Sequence, residues 1–503
     1  MGSYPSRMAS RSFRSGSAVA VAAALLTVGC AAAGDADPPA SAPAGAVADS
    51  TESDSQTSDA QISDASGADP AAPRQRFRYP TAPMAPAGDE ENAVEAVEAI
   101  AMIRQFIPTG TLDLASVDAL GATGDLRHAW YLSDLLRFFR GDDGQRIVDA
   151  FEQLSSVSIA DDPQSATSPW LSVTNHLIAW DTPAYPGYQA DKGALFTQVE
   201  PDWEPFFSDE DANIDWRLLS WGGVFIDDRE LGDPDNCPGG CIPSLDDPAT
   251  TDAAGGDWYP DDRIVFGLVE GDEALAFPKN IAEIHEMFNF TLGDRRFGLP
   301  YCTLCGSAQA YYTDNSGADE QPILRTSGLL IRSNKVMYDL VTESVFDTFT
   351  GDAVSGPLQD AGISLEEATL VRSTWGEWKQ AHPNTQIIAE DGGIGRSYDL
   401  DPLAGRDDDG PIFPIGDADA RLDVQELIVG VITDDGTPIA FPSNQASAII
   451  ADGGEVELGG VRLEAVGDGL RAVDAATGEG IAAHEAFWFA WSQFHPDTEL
   501  FAP

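Results

Sequence analysis

The chain has 503 residues, and 28 lysines and arginines against 83 aspartates and glutamates give it a formal net charge of −55. Hydrophobic residues make up 43%, including 11 tryptophans and 23 phenylalanines, which excludes a fully disordered protein and suits about two to four domains. The charge excludes the usual kind of nucleic-acid binder, because phosphate contacts need clustered lysine and arginine. An anionic membrane surface would also repel this chain.

The acidic bias comes with a scarcity of lysine. Only Lys192, Lys279, Lys335 and Lys379 occur, and the remaining basic residues are arginines. A surface of this kind repels itself at low salt, and about 1 M salt screens the repulsion. We therefore expect a salt-adapted, halophilic source, and an acidic secreted protein with a charged tail is the alternative.

The N-terminus has the pattern of an export signal. Arg7, Arg11 and Arg14 precede an apolar run over 18–28, which is shorter than the roughly 20 residues of a membrane span. Gly29-Cys30 resembles the lipobox of lipoproteins, although Thr27 stands where leucine is usual. We predict a lipoprotein-type signal peptide over 1–29, with lipid attached at Cys30; the alternative is a plain secretory signal. The expected location is extracytoplasmic, at the cell surface or in the periplasm, anchored to the membrane.

Residues 30–89 are predicted to be a disordered acidic linker. Alanine, proline, serine and aspartate dominate the segment, and no basic residue appears before Arg74. Such a composition buries too little apolar surface to offset the entropy lost on ordering. The linker would hold the rest of the chain away from the membrane.

A helical segment is predicted over 90–180. Apolar residues recur at helical spacing from Val94, over 125–139 and from Ile147 to Leu154. Residues 181–239 are rich in tryptophan, proline and glycine with little periodicity, and we predict an irregular connecting region there.

Internal similarity marks the C-terminal part. Residues 264–280 and 427–444 both suggest a hairpin that ends in Ala-Phe-Pro-x-Asn. Residues 375–385 and 488–498 share the frame W-x-x-W-x-Q-x-H-P-[ND]-T without a gap. We predict an α+β fold with a β-rich core over 240–503, built from two tandem related repeats, 262–390 and 425–503.

The shared tryptophan frame suggests a structural role. Tryptophans three residues apart lie on one face of a helix, and the proline after the histidine ends that helix. His382 and His495 would then cap helix C-termini, where the dipole favours a protonated imidazole. Capping is the expected role of both histidines rather than catalysis.

A series of short motifs runs through the core. They lie over 242–248, 276–278, 285–286, 301–308, 327–330, 333–339, 350–351 and in the two tryptophan frames. With these motifs the core, over about 240–503, resembles the domain-of-unknown-function-3179 family. The resemblance implies a fold more than a reaction, since no activity is assigned to the family. This chain departs from the usual family pattern at Phe290, at Pro300 and over 340–346.

Four cysteines besides Cys30 are candidates for chemistry. They form the pairs Cys237 and Cys241, and Cys302 and Cys305. In an exported protein an even number favours structural disulfides, with three pairings open. A zinc site of four thiolates and a reactive dithiol are the alternatives. The strand-like flanks of the second pair disfavour thioredoxin chemistry, because that motif opens a helix.

A metal centre is also considered at His285. This residue lies with Glu286 on a predicted helix over 280–290 and, together with Cys302 and Cys305, would suit zinc or copper. The alternative is a buried structural histidine beside a solvent-exposed glutamate.

Short aspartate runs suggest calcium only weakly. They lie at 233–236, 407–409 and 417–419, and no complete twelve-residue calcium loop with its terminal glutamate is present. The sequence also contains no P-loop, nucleophile elbow or H-E-x-x-H motif in a suitable context.

Two functions follow as hypotheses. The first is a non-enzymatic module that binds a small ligand, an ion or a protein partner. The second is a metal- or thiol-dependent redox enzyme centred on the C-x-x-C of the first repeat.

Overall fold

The computed structural model describes residues 77–233, 237, 240–404 and 410–502. The predicted signal peptide, Cys30 and most of the predicted linker lie outside these residues. Among the described residues, no helix combines the length and the apolar character needed to cross a membrane.

Seven helices form the N-terminal part of the described chain and enclose a hydrophobic core. Asp113 and Ser168 cap two of them by accepting backbone N–H groups of the first turn. The helical part extends to Ser208 and so takes in nearly the first half of the region over 181–239 that was predicted as irregular. These helices are α1 (Val94–Phe106), α2 (Leu114–Gly121), α3 (Ala129–Phe138), α4 (Gly141–Ser155), α5 (Pro169–Ala179), α6 (Tyr188–Phe196) and α7 (Glu204–Ser208).

The apolar pattern of the sequence predicted the buried face of α4 correctly and that of α1 wrongly. Helix α4 buries Ile147 and Leu154, as predicted. Helix α1 exposes Val94 and Val97 and buries a face of alanine and isoleucine instead. A short alanine lets neighbouring helices approach closely, so the buried face of α1 is the less bulky one.

Residues 77–89 pack against the helices, so the predicted linker is too long at its C-terminal end. The Tyr79 ring lies 5.0 Å from that of His176, and the Trp180 indole donates to the carbonyl of Pro80 at 2.9 Å. Aromatic burial together with backbone hydrogen bonds offsets the entropy of ordering this stretch.

The C-terminal part is β-rich, which confirms the predicted α+β class. Its five further helices are short: α8 (Lys279–His285), α9 (Gly356–Asp360), α10 (Trp375–Ala381), α11 (Ser443–Ala451) and α12 (Trp488–Phe494). The strands are β1 (Leu219–Trp221), β2 (Leu245–Asp246), β3 (Thr250–Asp252), β4 (Ile264–Glu270), β5 (Glu273–Pro278), β6 (Met287–Leu292), β7 (Arg295–Cys302), β8 (Ser307–Ala308), β9 (Ala310–Tyr312), β10 (Leu324–Ile331), β11 (Asn334–Asp339), β12 (Val345–Asp347), β13 (Glu366–Ala368), β14 (Leu370–Thr374), β15 (Gln386–Ile388), β16 (Leu427–Ile432), β17 (Pro438–Pro442), β18 (Glu457–Leu458), β19 (Val461–Val466), β20 (Gly469–Asp474), β21 (Gly480–Ile481), β22 (Ala483–Phe487) and β23 (Glu499–Leu500).

Within the described residues these strands form five sheets in a propeller-like arrangement. Three of the sheets have the orders β1-β10-β11-β12, β13-β9-β7-β6-β2 with β8 beside β7, and β18-β19-β20-β21. The other two are the first-copy sheet, β14-β4-β5-β15-β3, and the second-copy sheet, β22-β16-β17-β23. Strand β1 joins a core sheet from outside the predicted core boundary at residue 240.

The sequence predicted a core built from two repeats, and this prediction is wrong. The two similar segments supply one sheet each, and the hairpins β4–β5 and β16–β17 form as predicted. Between its hairpin and its last strands, the first copy inserts strands of two other sheets, whereas the second copy inserts only one sheet. Similarity is confined to one sheet per copy because the inserted strands differ in number and pairing.

The shared tryptophan frame fixes each helix onto its own sheet. Helices α10 and α12 both begin at the first tryptophan of the frame, as predicted. The second tryptophan, Trp378 or Trp491, lies against a strand glycine, Gly267 or Gly430. Any side chain at either glycine would occupy the space of the indole ring.

The two histidines of the frame lie at the helix C-caps, but not as protonated caps. The His382 ring lies 4.1 Å from that of Trp378, and the His495 ring lies 4.4 Å from that of Trp491. Burial lowers the pKa of His382, and burial together with His484 lowers the pKa of His495 to about 4. Packing against an indole removes water from the imidazole, so the neutral ring is favoured over the predicted cation.

Candidate functional site

One cysteine pair forms a disulfide. Cys237 and Cys241 are bonded to each other, so this pair forms one of the disulfides that the sequence favoured. The disulfide lies beside the fully buried Asp227, whose carboxylate binds Arg229 at 2.7 Å and accepts the Ser244 N–H at 2.7 Å. Because a guanidinium already neutralises this carboxylate, the group is a structural anchor for the loop.

The other pair lies in the interior as free thiols. Strand β7 ends at Cys302, a 3-10 turn covers Thr303–Cys305, and Gly306 follows with a φ of 58°. The predicted strands on both sides of the motif are confirmed as β7 and β9. Cys302 is 1% exposed and Cys305 is 0% exposed, so bulky substrates have no direct access to either sulfur.

The turn between β10 and β11 holds the two thiols. The Ser333 carbonyl accepts from Cys305 Sγ at 3.5 Å and lies 4.0 Å from Cys302 Sγ. The backbone N–H of Lys335 donates to Cys302 Sγ at 3.4 Å. A donor directed at one sulfur and an acceptor facing both distinguish the two thiols from each other.

A buried ion pair completes this cluster. Lys335 Nζ donates to the backbone carbonyl of Glu286 and lies 3.8 Å from its carboxylate Oε2. The hydroxyl of Thr303 donates to Oε1 of the same carboxylate at 3.2 Å. We call the set of Glu286, Cys302, Cys305 and Lys335 the thiol cluster. All four side chains are buried.

Strained backbone surrounds the thiol cluster. Glu286 has a φ of 50°, Arg332 of 50° and Ser333 of 69°, in the left-handed region that non-glycine residues rarely adopt. Each such residue costs on the order of 1 kcal/mol, and such strain gathers at functional sites. At Glu286 the unusual conformation ends α8 and turns the carboxylate towards Lys335.

The two thiols differ in acidity. Burial acts to raise the pKa of Cys302, but the neighbouring Cys305 thiol and the N–H of Lys335 outweigh it and hold the pKa below its usual value. Burial, followed by the interaction with Cys302, raises the pKa of Cys305. Cys302 is therefore the thiol that ionises first, and Cys305 keeps its proton.

The acid and the base of the cluster shift towards their neutral forms. Burial raises the pKa of Glu286, with Lys335 opposing the rise, and burial lowers the pKa of Lys335, with Glu286 and Cys302 opposing the fall. Burial therefore disfavours the charged form of both the acid and the base in the thiol cluster.

His285 does not belong to the thiol cluster. Its Nδ1 lies 2.7 Å from the Pro243 carbonyl and its Nε2 lies 2.7 Å from the Tyr398 hydroxyl. Burial lowers the pKa of His285 to about 4, and Arg396 contributes to the shift. A neutral ring that donates from Nδ1 and accepts at Nε2 satisfies both bonds, so the interpretation as a buried structural histidine fits.

The predicted metal centres are not assembled. Of the described residues, only Asp227, Cys237 and Cys241 bring three ligand atoms within 4.8 Å of one another, and there the sulfurs are bonded to each other. The ligand atoms of His285, Cys302 and Cys305 do not meet in this way, and the two cysteine pairs do not form one four-thiolate site. The Pro243 carbonyl and the Tyr398 hydroxyl hold His285, whereas Glu286, in the left-handed conformation after the end of α8, lies near Lys335.

The calcium candidates gain no support where they are described. Asp419 binds Arg421 at 2.7 Å, which uses its carboxylate. Residues 234–236 and 407–409 lie outside the described part of the chain.

A known protein family matches the part of the chain that contains the thiol cluster. Residues 239–466 match the family model whose description is "Protein of unknown function (DUF3179)". The family resemblance of the C-terminal half is confirmed. The DUF3179 match contains all four residues of the thiol cluster and ends at the last residue of β19. No curated protein and no solved structure matches the chain.

The sequence pointed to the two thiols but missed their partners. The alternative to a metal site at His285 placed Glu286 in solvent. In the structure Glu286 is buried, with only 7% of its surface exposed. Lys335 is one of only four lysines and lies within a DUF3179-like run. The sequence signal that could have identified Lys335 is its residue type, because the chain uses arginine at nearly all of its other basic positions.

Proposed function

We propose that the chain is an exported, lipid-anchored protein of the cell surface or periplasm whose C-terminal half carries a dithiol redox centre. The pattern of basic residues, apolar run and Gly29-Cys30 supports export and lipid attachment. The Cys237–Cys241 disulfide agrees with an oxidising compartment.

The observation that carries the redox proposal is the thiol cluster itself. The same chain holds one disulfide and one reduced C-x-x-C pair, and only the reduced pair is joined by a buried lysine and glutamate. At the reduced pair a backbone N–H, that of Lys335, donates to Cys302 Sγ itself, whereas the ion pair beside the disulfide, Asp227 with Arg229, anchors a loop.

Small oxidants of the peroxide class suit this site, since the sulfurs are closed to larger molecules. The Cys302 thiolate attacks one oxygen of hydrogen peroxide, the O–O bond breaks, and the departing hydroxide takes a proton to become water. The Cys305 sulfur then attacks the Cys302 sulfenic acid, loses its proton and releases a second water. Two thiols thus lose two electrons and one peroxide becomes two waters. Two equivalents of a small thiol then reduce the Cys302–Cys305 disulfide to the dithiol and are themselves oxidised to a disulfide.

Glu286 and Lys335 have separate tasks in this proposal. The Lys335 ammonium and its backbone N–H favour the Cys302 thiolate, which is the form that reacts. Glu286 holds the Lys335 side chain in place and can relay the Cys305 proton to the hydroxyl that leaves Cys302 as water.

Alkylation and mass spectrometry test the proposal on the mature protein from host membranes. Denatured protein should alkylate only at Cys302 and Cys305 before peroxide, and at no cysteine of the described core after one equivalent. The same spectra should show a lipid-modified N-terminus at Cys30. We expect Lys335→Met to slow oxidation at pH 7 about tenfold, because loss of the ammonium raises the thiol pKa.

Lys379→Met is the matched control, since this lysine pairs with Asp261 at the surface and should leave the oxidation rate unchanged. Formation of a sulfinic acid at Cys302 while Cys305 stays reduced would overturn the dithiol proposal. An unlipidated N-terminus would overturn the anchor and leave the redox centre standing.

A further inference from the structure

A polar groove lies beside Tyr398, the hydrogen-bond partner of His285. It encloses about 730 Å³, within the range of small-ligand sites, and its walls include Trp258, Asp391, Arg396 and Tyr398. Tyr398 is fixed at the base of the groove, because its hydroxyl donates to the neutral His285 at 2.7 Å. We call this feature the Trp258 groove.

A narrow inner pocket adjoins the Trp258 groove at Arg396. The pocket measures about 20 Å³, enough for a single ligand group, and is lined by Ser244 and His285 among others. The Ser244 hydroxyl is buried, at 3% exposure for the residue, and has no hydrogen-bond partner in the described structure. The Trp258 Nε1–H is likewise buried and without a partner.

Such unsatisfied groups mark a place for a ligand. A buried polar group without a hydrogen bond costs about 1–3 kcal/mol, so two of them, one at a residue lining the groove and one at a residue lining the inner pocket, need an explanation. Both can donate, and a ligand oxygen at each would satisfy them.

The charges of the Trp258 groove define the ligand class. Arg396 forms no ion pair with a described carboxylate and lies with its guanidinium 5.7 Å from the Tyr398 ring centre. Glu390 and Asp391 line the same groove and are exposed. A small anion would be repelled by these two acids, and a small cation by the arginine, whereas hydroxyl groups can donate to the acids and accept from Arg396.

We propose that the Trp258 groove binds a neutral saccharide. Trp258 and Tyr398 supply aromatic surface for the sugar ring, and the acids and Arg396 meet its hydroxyls. The inner pocket takes one hydroxyl or hydroxymethyl group against Ser244. This inference is independent of the proposed redox function, because none of these residues belongs to the thiol cluster.

An array of neutral and acidic oligosaccharides, probed with the mature full-length chain, tests the inference. We expect binding to neutral members, followed by titration of the best disaccharide by calorimetry. Arg396→Gln should weaken binding at least about tenfold, because it removes charged hydrogen bonds. Trp258→Phe, which keeps an aromatic ring but loses the indole N–H, should weaken binding several-fold.

Arg140→Gln is the matched control, since this arginine is exposed in the helical part. Unchanged binding in this control and weaker binding in both groove variants would support the site. Binding that survives Arg396→Gln and Trp258→Phe would overturn it, as would an array that captures only acidic saccharides or none. A negative result for saccharide binding would not change the alkylation pattern expected at Cys302 and Cys305. The two proposals can therefore be overturned independently of each other.

Discussion

The first-copy and second-copy sheets share a scaffold and differ in chemistry. In both, a hairpin is flanked by an antiparallel strand on one side and a parallel strand on the other. Trp378 Nε1 donates to Thr385 at 2.9 Å, and Trp491 Nε1 donates to Thr498 at 2.8 Å. The residues that recur between the copies are therefore those that fix a helix onto its sheet.

The copies diverge where the helix after Ala-Phe-Pro-x-Asn ends. Helix α8 stops at His285, and Glu286 turns to the left-handed conformation. Helix α11 runs on to Ala451, with Ile449 and Ile450 at the equivalent positions. At this earlier helix end, His285 contacts Tyr398 and Glu286 belongs to the thiol cluster, while the sheet beneath keeps the same strand arrangement.

The copies also contact each other through equivalent positions. Arg372 on β14 and Glu485 on β22 each stand three residues before the first tryptophan of their frame, and they lie 4.0 Å apart. Related positions that face each other carry opposite charges here, so the two sheets pack with a charge pair where identical residues would repel.

The largest expected effect tests the shared contact between glycine and tryptophan. A Cβ at Gly430 would lie 2.1 Å from the Trp491 ring, and one at Gly267 would lie 2.4 Å from Trp378. Gly430→Ala and Gly267→Ala should each lower the free energy of unfolding by more than about 3 kcal/mol, because the buried indole cannot move aside. Urea denaturation followed by tryptophan fluorescence measures the change.

Gly480→Ala is the control for these variants, since a Cβ there meets nothing within 4 Å. If either core variant proves as stable as this control, the equivalence of the two scaffolds does not hold.

The next effect separates the copies by pH. Burial raises the pKa of Glu485 from 4.5 to about 7, with Arg372 opposing the rise. A raised folded-state pKa gives stability that is complete below about pH 4.5 and is lost as pH rises through 7. Between pH 5 and pH 8, Glu485→Gln should therefore gain up to about 3 kcal/mol relative to the unmodified chain. Thermal and urea unfolding at both pH values give the difference.

Glu479→Gln provides the reference, because this glutamate is exposed. Equal pH dependence in the two variants would show that Glu485 ionises freely despite its burial.

The sequence predicted the local features that recur in the two copies. It missed a long-range strand pairing and the turn at Glu286. The hairpins, the tryptophan helices and the strands beside Cys302 followed from local patterns of apolar residues and proline. The five-sheet arrangement did not, because the pairing of β1 with β10 joins residues far apart in the chain. The opposite directions of His285 and Glu286 depend on one positive φ at a glutamate, which no propensity favours.

The smallest expected effect tests the indole hydrogen bonds. Thr385 and Thr498 are 1% and 3% exposed, and each accepts from its tryptophan. Thr385→Val and Thr498→Val keep most of the side-chain volume but leave a buried N–H without an acceptor. Each should cost about 1–2 kcal/mol in the free energy of unfolding, measured by urea denaturation. Because the two bonds are alike in length and burial, the costs should agree within about 0.5 kcal/mol. A large cost in only one copy would mean that the other indole finds a different acceptor, and that the frame serves the two sheets unequally.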